Sequence, residues 1–421
     1  MKQDKQNELL RELGLQDAVE IGLGAIIGAG IFVVTGVAAG ISGPAMLISL
    51  LIAGVIATFN ALSSAQLAAV YPQSGGTYEY GYRLLNPGFG FSAGWMYLMS
   101  KLAAGGVVAI GFVSYFYQLV PVGSPLIISV TAIILLTFAN YFGIKKVGTL
   151  NLIIVSFTLI SLVYFVISGF PEIKKENFKP FAPFGMSGIA EATALLFFAF
   201  TGFARIATLA EEVKNPKRTI PRAVIITISI AIVLYVLVSV VAIGVSGTET
   251  MAGSKSPLQV AANALHTPGI KIIITIGAST AMLGVLLSQI LGISRMMFAM
   301  RRRNDLWPAF QRVHTKNSVP HLGIFTTGII ILILCVFGTF EFILASAAFT
   351  ILLYYSITNL AALRQPKQER RHGKVVPVLG LTGCLLMAIS LDFDVIISGI
   401  SVLLAGFILR FVLHKIYRNN P

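Results

Sequence analysis

The sequence predicts an all-α polytopic membrane protein of about twelve transmembrane helices, and three observations carry that reading. Hydrophobic residues make up 56% of the 421 residues and charged residues 11%, against about 25% charged in an ordinary globular domain. The mean hydropathy is +0.84, and a soluble chain this apolar would expose large greasy patches and aggregate. The apolar residues also fall in separate runs, most of them near the roughly 20 residues that cross a bilayer. The net charge of +14 would point to nucleic acid in a soluble protein. Here the basic residues sit mostly in short connections between apolar runs, where they orient the chain.

The runs lie near 17–40, 44–70, 89–119, 125–143 and 147–170, then 187–210, 220–246, 269–300, 322–339, 341–363, 376–391 and 393–414. The last two are short and separated by SLDFD, which predicts a tight helical hairpin. Connections that follow even-numbered spans carry Lys145, Lys146, Lys214, Lys217, Arg218 and Arg222, then Arg301, Arg302, Arg303, Arg312 and Lys316, then Arg364, Lys367, Arg370, Arg371 and Lys374. The opposite connections hold few, among them Lys174, Lys175, Lys179 and Lys255. The positive-inside rule therefore places both termini in the cytoplasm. The polar start, MKQDKQNELLRELG, has no signal-peptide apolar region. Cys335 and Cys384 lie inside apolar runs, as core residues rather than a disulfide or metal pair. No cofactor and no metal are expected. The absence of HExxH, GxSxG and Walker A patterns argues against an intramembrane enzyme and an ATP-driven pump.

One span is weakened by its own composition. The stretch GLGAIIGAGIFVVTG, 22–36, contains Gly22, Gly24, Gly28, Gly30 and Gly36, and glycine is a poor helix former. Gly24 and Gly28 fit a small-xxx-small packing motif. The density of glycine also fits a helix that breaks at Gly28-Ala29-Gly30. A break leaves carbonyls at the end of one half-helix and N–H groups at the start of the next. Together these can hold the ammonium and the carboxylate of a free amino acid. Such backbone is tolerated at mid-depth only beside a polar cavity or ligand. An inverted repeat of five spans would put a second weak point in the sixth. That span reads LLFFAFTGFARIATLAEE, 195–212, interruptible at Phe200-Thr201-Gly202-Phe203. A kinked helix with one packing glycine is the alternative.

These stretches resemble the amino acid–polyamine–organocation (APC) superfamily of transporters. The resemblance rests on GLGAIIGAGIF, on YPQSGGTYEYGYRLLNPGFGFSAGW at 71–95, on FFAFTGFARIATLAEEVKNPKRTIPRAV at 197–224 and on SRMMFAMRRRNDLWP at 294–308. It implies a LeuT-type 5+5 inverted repeat with broken first and sixth helices plus two extra helices, and amino-acid transport by alternating access. The parts are then a cytoplasmic N-terminus at 1–16, a first repeat at 17–170, an extracellular loop at 171–186 and a second repeat at 187–363. A cytoplasmic loop at 364–375, the additional helices at 376–414 and a cytoplasmic tail at 415–421 follow. The resemblance also implies that Ala25 and Ile26 offer carbonyls to a substrate ammonium, and that Gly28, Ala29 and Gly30 offer N–H groups to its carboxylate. Phe198, Ala199 and Thr201 line the other side, with Phe198 where relatives place a gating aromatic. The segment PQSGGTYEY resembles the family's loop at the inner gate; read without the family, it is a glycine-rich turn with a tyrosine face on the membrane surface.

Three positions depart from what relatives carry. Thr158, aligned from Asn151, stands where some proton-coupled relatives have a lysine. Ser100 and Ala204 stand where relatives with cationic substrates often have acids. Neutral amino acids become the expected cargo, with anionic or polyamine-type exchange and a non-transporting nutrient receptor as the alternatives. The coupling partner, H+, Na+ or an exchange substrate, is open. Glu20, Lys101 and Arg205 are charges inside spans, and such charges are functional candidates unless they are paired or hydrated. Lys101 fits an ion pair first, or a titrating or anion-attracting role. Glu20 and Arg205 fit a pair that closes the inner gate; the alternative is that each faces a wet vestibule, with Arg205 reaching Glu212 or lipid headgroups.

Overall fold

The computed structural model describes residues 13–71, 75–142, 147–208, 213–314, 317 and 319–419. Lys145, Lys146, Glu212 and Lys316 lie outside the described residues, as do 72–74 of the loop at 71–86. The described residues are almost entirely helical, the one β-bridge joining Leu13 to Val213.

The first span is α1 (Leu15–Ile26), a break, one wide π-turn at Gly30–Val34, and α2 (Thr35–Ser42). There follow α3 (Met46–Val70), the short α4 (Thr77–Leu84), α5 (Pro87–Leu119), α6 (Pro125–Phe142) and α7 (Val147–Gly169). The sixth span is α8 (Gly185–Phe197) and α9 (Ala204–Thr208), joined by a 3-10 turn at Phe198–Phe203. Then come α10 (Pro216–Ser246), the short α11 (Thr248–Met251) and α12 (Pro257–Ala264), α13 (Ile270–Arg301), α14 (His321–Phe337), α15 (Phe340–Arg364), α16 (Val375–Ile389) and α17 (Phe393–Asn419). Nine stretches of described helix are long and apolar enough to cross a membrane; the first, Leu15–Val70, takes in two spans, and His321–Phe337 and Val375–Ile389 are shorter apolar helices. The architecture is that of a polytopic membrane protein, as the hydropathy predicted.

Helix α5 is the central post, packed along α13 and α15. Small residues allow close approach to α13 and also to α14: a Cβ on Gly111 would sit 2.8 Å from Met282 Sδ of α13, and one on Gly105 2.5 Å from Ile331 Cδ1 of α14. This is how helices associate where lipid removes the hydrophobic drive. The periphery is greasy, with Ile127 and Leu135 on α6, Ile160 and Ile167 on α7 and Phe411 on α17 all exposed. Those faces suit acyl chains.

The face of the molecule that carries the chain start and the connections after even-numbered spans is here called the basic face. On it, α4 packs into the protein rather than lying on a membrane surface. Tyr78 and Tyr80 are fully buried. Tyr78 and Tyr82 donate hydrogen bonds of 2.8 and 2.5 Å to Asp305, just beyond α13. Asp305 also accepts from Arg410 Nε of α17 at 2.8 Å, and its side chain has no solvent exposure. Burial first, and then the Asp305 charge, push both phenols well above the ordinary tyrosine range, so they stay neutral donors. Beside them Glu79 holds Arg303 through Nε and Nη2 at 3.2 and 2.6 Å. A buried carboxylate with three charge-assisted partners is well satisfied; losing one partner would strand a charge.

Candidate functional site

The first span breaks at Ile27, whose φ of −79° and ψ of 104° are extended rather than helical. The sixth does not open fully: from Phe198 to Phe203 it tightens into 3-10 geometry. Both leave backbone groups without their usual i−4 partners, and the two weak points touch. A Cβ on Gly202 would fall on the carbonyl of Ala25, and one on Gly30 would sit 2.5 Å from Ala199 Cα. Only glycine permits that approach, so the glycines serve close packing and exposed backbone together.

All eight residues assigned from the sequence to the substrate, Ala25, Ile26, Gly28, Ala29, Gly30, Phe198, Ala199 and Thr201, line one small cavity of about 40 Å3. Lys101 and Val108 of α5, Gly202, and Val285 and Gln289 of α13 complete it. Six of these residues, Ala25, Lys101, Thr201, Gly202, Val285 and Gln289, also line a larger cavity of about 240 Å3. The larger space runs past Ile21, Ile154, Arg205, Gly292 and Ile293, which lie on the basic-face halves of their spans. The other direction is packed shut. Tyr115 and Phe32 are fully buried with their rings edge to face at 5.9 Å. Tyr115 donates to the Phe32 carbonyl at 2.6 Å and accepts from the Leu258 N–H of α12 at 3.2 Å. The carbonyl of Ser254 presses on Gly36.

Tyrosines brace the irregular backbone. Tyr235 Oη donates to the Ile26 carbonyl at 2.8 Å and lies 3.4 Å from that of Ala199. Tyr355 Oη donates to the Thr201 carbonyl at 3.1 Å. Unpaired carbonyls at mid-depth cost free energy, and these phenols offset part of it. A carbonyl oxygen has two lone pairs, and Tyr235 takes one of those on Ile26. Sequence reasoning missed Tyr235, Tyr355, Val285 and Gln289. The signal was present for Gln289, a lone amide in the apolar run 269–300.

The other candidates sort themselves by face. Lys101 lines both cavities. An ion pair was its first expectation, but the described pairs are Glu172–His266, Glu79–Arg303 and Asp305 with Arg410 and His414. The neighbour described for Lys101 is the Tyr97 ring, 5.8 Å from Nζ. Ser100, one residue earlier, turns away and donates to the Ala347 carbonyl of α15 at 2.9 Å. Ala204 lines the larger cavity. Thr158 is buried and bonds the Ile154 carbonyl one turn back at 2.7 Å; Ile154, not Thr158, faces the cavity. Arg205 lines the larger cavity with Nη1 3.3 Å from where a Gly292 Cβ would stand. Glu20 accepts from Gln16 Nε2 at 2.9 Å. The half-helices that carry Glu20 and Arg205 are tied at their basic-face ends, where Lys214 N–H donates to the Leu13 carbonyl at 2.8 Å. The described residues include no cluster of three metal-ligating side chains.

Comparison with known proteins shows the family. The family model described as amino acid permease matches residues 17–415. An uncharacterized transporter of Mycobacterium tuberculosis is 37% identical over 407 residues, covering 96% of this chain and 91% of that protein. A branched-chain amino acid permease of Bacillus subtilis is 29% identical over 435 residues, covering 97% and 94%. A methylthioribose transporter of the same organism is 32% identical over 347 residues, covering 78% and 75%. These relatives are named for carrying solutes, not for catalysis. With a matching model over nearly its whole length and a broken first span at its centre, the chain belongs to the amino acid permease family of the APC superfamily.

Proposed function

We propose that the protein is a secondary transporter that moves amino acids across the cell membrane by alternating access, with both termini in the cytoplasm. The observation that carries this is the continuity of the two cavities. Backbone freed at Ile27–Gly30 and the tightened turn at Phe198–Thr201 surround the small one, which leads into the larger one toward the basic face. The opposite side is sealed at Phe32 and Tyr115. With the basic face inside, this is an inward-facing state. The substrate ammonium sits at the carbonyls of Ala25 and Ile26, and its carboxylate at the N–H groups of Gly28, Ala29 and Gly30, with Phe198, Ala199 and Thr201 opposite. Neutral amino acids are preferred over cationic ones, because no acidic side chain among the described residues lines either cavity. Five-helix repeats at 17–170 and 187–363 supply the two halves that rock against each other.

The test is uptake of radiolabelled amino acids into proteoliposomes, with and without H+ and Na+ gradients and with internal substrate for exchange. Saturable uptake of neutral amino acids, absent from empty vesicles, is the expected result. Specific binding with no flux under any gradient or exchange condition would instead indicate a receptor and overturn the proposal.

A further inference from the structure

We propose that Lys101 and Gln289 form a subsite for a small anion at the junction of the two cavities, beside the backbone that holds the substrate's main-chain groups. The inference rests on the transport reading for the position of that substrate. Lys101 lies fourteen residues beyond the start of α5 at Pro87, about 21 Å along a helix rising 1.5 Å per residue, too deep for its ammonium to reach water along the surface. An ammonium at that depth needs an anion, dipoles or water. No described carboxylate lies within 4 Å of it, and a tyrosine ring at 5.8 Å is a weak counterpart.

The remaining surroundings point the same way. Among the described residues that line the larger cavity, none is acidic. Gln289, which lines both cavities with Lys101, has its Oε1 buried without a hydrogen-bond partner. Its Nε2–H, which is not enclosed in this way and enters no described hydrogen bond, is a second donor on the cavity wall. The Thr201 hydroxyl already donates to the Phe198 carbonyl at 3.0 Å, so it does not compete for the role. An ammonium and an unused amide on the wall of one cavity fit a carboxylate or a halide. Two sources supply that chemistry: the side-chain carboxylate of an acidic amino acid, or a free inorganic anion that accompanies a neutral one.

The experiment measures binding of L-leucine and L-glutamate to the purified full-length protein, in chloride and in gluconate, for the wild type, Lys101→Met, Lys101→Arg and Gln289→Leu. A parallel arm titrates chloride alone and reads the melting temperature. If the anion is the substrate's own side chain, L-glutamate binds at least tenfold more tightly than L-leucine in both salts. If it is free, L-leucine binding falls at least tenfold in gluconate, and chloride alone raises the melting temperature. Either preference should vanish in Lys101→Met, weaken in Gln289→Leu and survive in Lys101→Arg. A wild type indifferent to chloride with no preference for L-glutamate overturns the subsite, as does a preference that persists in Lys101→Met. Chloride stabilisation that depends on Lys101, without binding or flux of any amino acid, would leave the subsite standing and refute the transport reading instead.

Discussion

Gly28→Ala tests whether the backbone at the first break is used as proposed. A Cβ built on Gly28 stands 2.8 Å from Val285 Cγ2 and 3.8 Å from Val285 Cβ. Carbon atoms in contact prefer about 3.5 Å or more, so one side must retreat by roughly 0.7 Å. Val285 is a β-branched side chain on a helix, with one preferred rotamer, and it cannot swing aside freely. Overpacking of this kind costs about 1–3 kcal/mol, which corresponds to about 5–150-fold in affinity if it falls on the substrate-bound state. Gly28 and Val285 both line the small cavity, so the cost should fall there. Val285→Ala alone removes two methyl groups, worth about 0.8 kcal/mol each. It also removes the atom that the new methyl strikes. The double variant should therefore be no worse than Val285→Ala, with a coupling energy of about 1–3 kcal/mol between the positions. The assay is equilibrium substrate binding and thermal melting of the four proteins in one detergent. Effects that add to within about 0.5 kcal/mol would show that Gly28 does not face Val285, and the described cavity would be wrong at its centre. Gly30 cannot serve this test, because any side chain there meets the Ala199 backbone.

On the basic face, Asp305→Asn should lower the melting temperature sharply, since breaking a buried pair costs about 3–5 kcal/mol; Arg303→Gln, whose side chain is 39% exposed, should cost less than about 1 kcal/mol. On the opposite face, a hydrogen bond from His266 holds the Glu172 carboxyl below its ordinary range. Its contribution is present above the ordinary carboxylate pKa and is lost as pH falls through the depressed value, so melting curves of wild type and Glu172→Gln should converge in acid. Thr158→Ala should leave the shape of the pH–rate profile unchanged, because that hydroxyl is engaged with its own helix; a flattened profile would contradict this. Glu20→Gln and Arg205→Gln should each favour the inward-open state, read from labelling of a cysteine in the vestibule, and the exchange Glu20→Arg with Arg205→Glu should recover part of the loss. Additive effects in that cycle would exclude an inner-gate pair.

The features legible in the sequence were those written in local composition. Five glycines in 22–36 mark the first break, and the apolar runs mark the spans to within a few residues. FTGF in the sixth span was legible as a weak point, but not as a tightened turn, because the choice between breaking and tightening is made by the segment packed against it. The tyrosines of α4 were visible, yet their burial depends on Asp305, more than 220 residues away in the chain. The third span shows how fine the limit is. Successive helical residues point about 100° apart, so Ser100 reaches α15 while Lys101 meets the cavity. Hydropathy reads both as being in the membrane and cannot say which one looks inward.

The hydrogen bond between Leu13 and Lys214 constrains how such a molecule can move. It joins the chain just before α1 to the chain beyond α9, and α1 and α9 also pack side by side. At their other ends the same two segments meet where Gly202 presses on the Ala25 carbonyl. The chain around α1 is thus held to the chain of the sixth span and its continuation at two points, Gly202 and Lys214. The chain at the start of the first span cannot move away from Lys214 without breaking that bond. Any displacement that parts Leu13 from Lys214 is opposed by the tie itself.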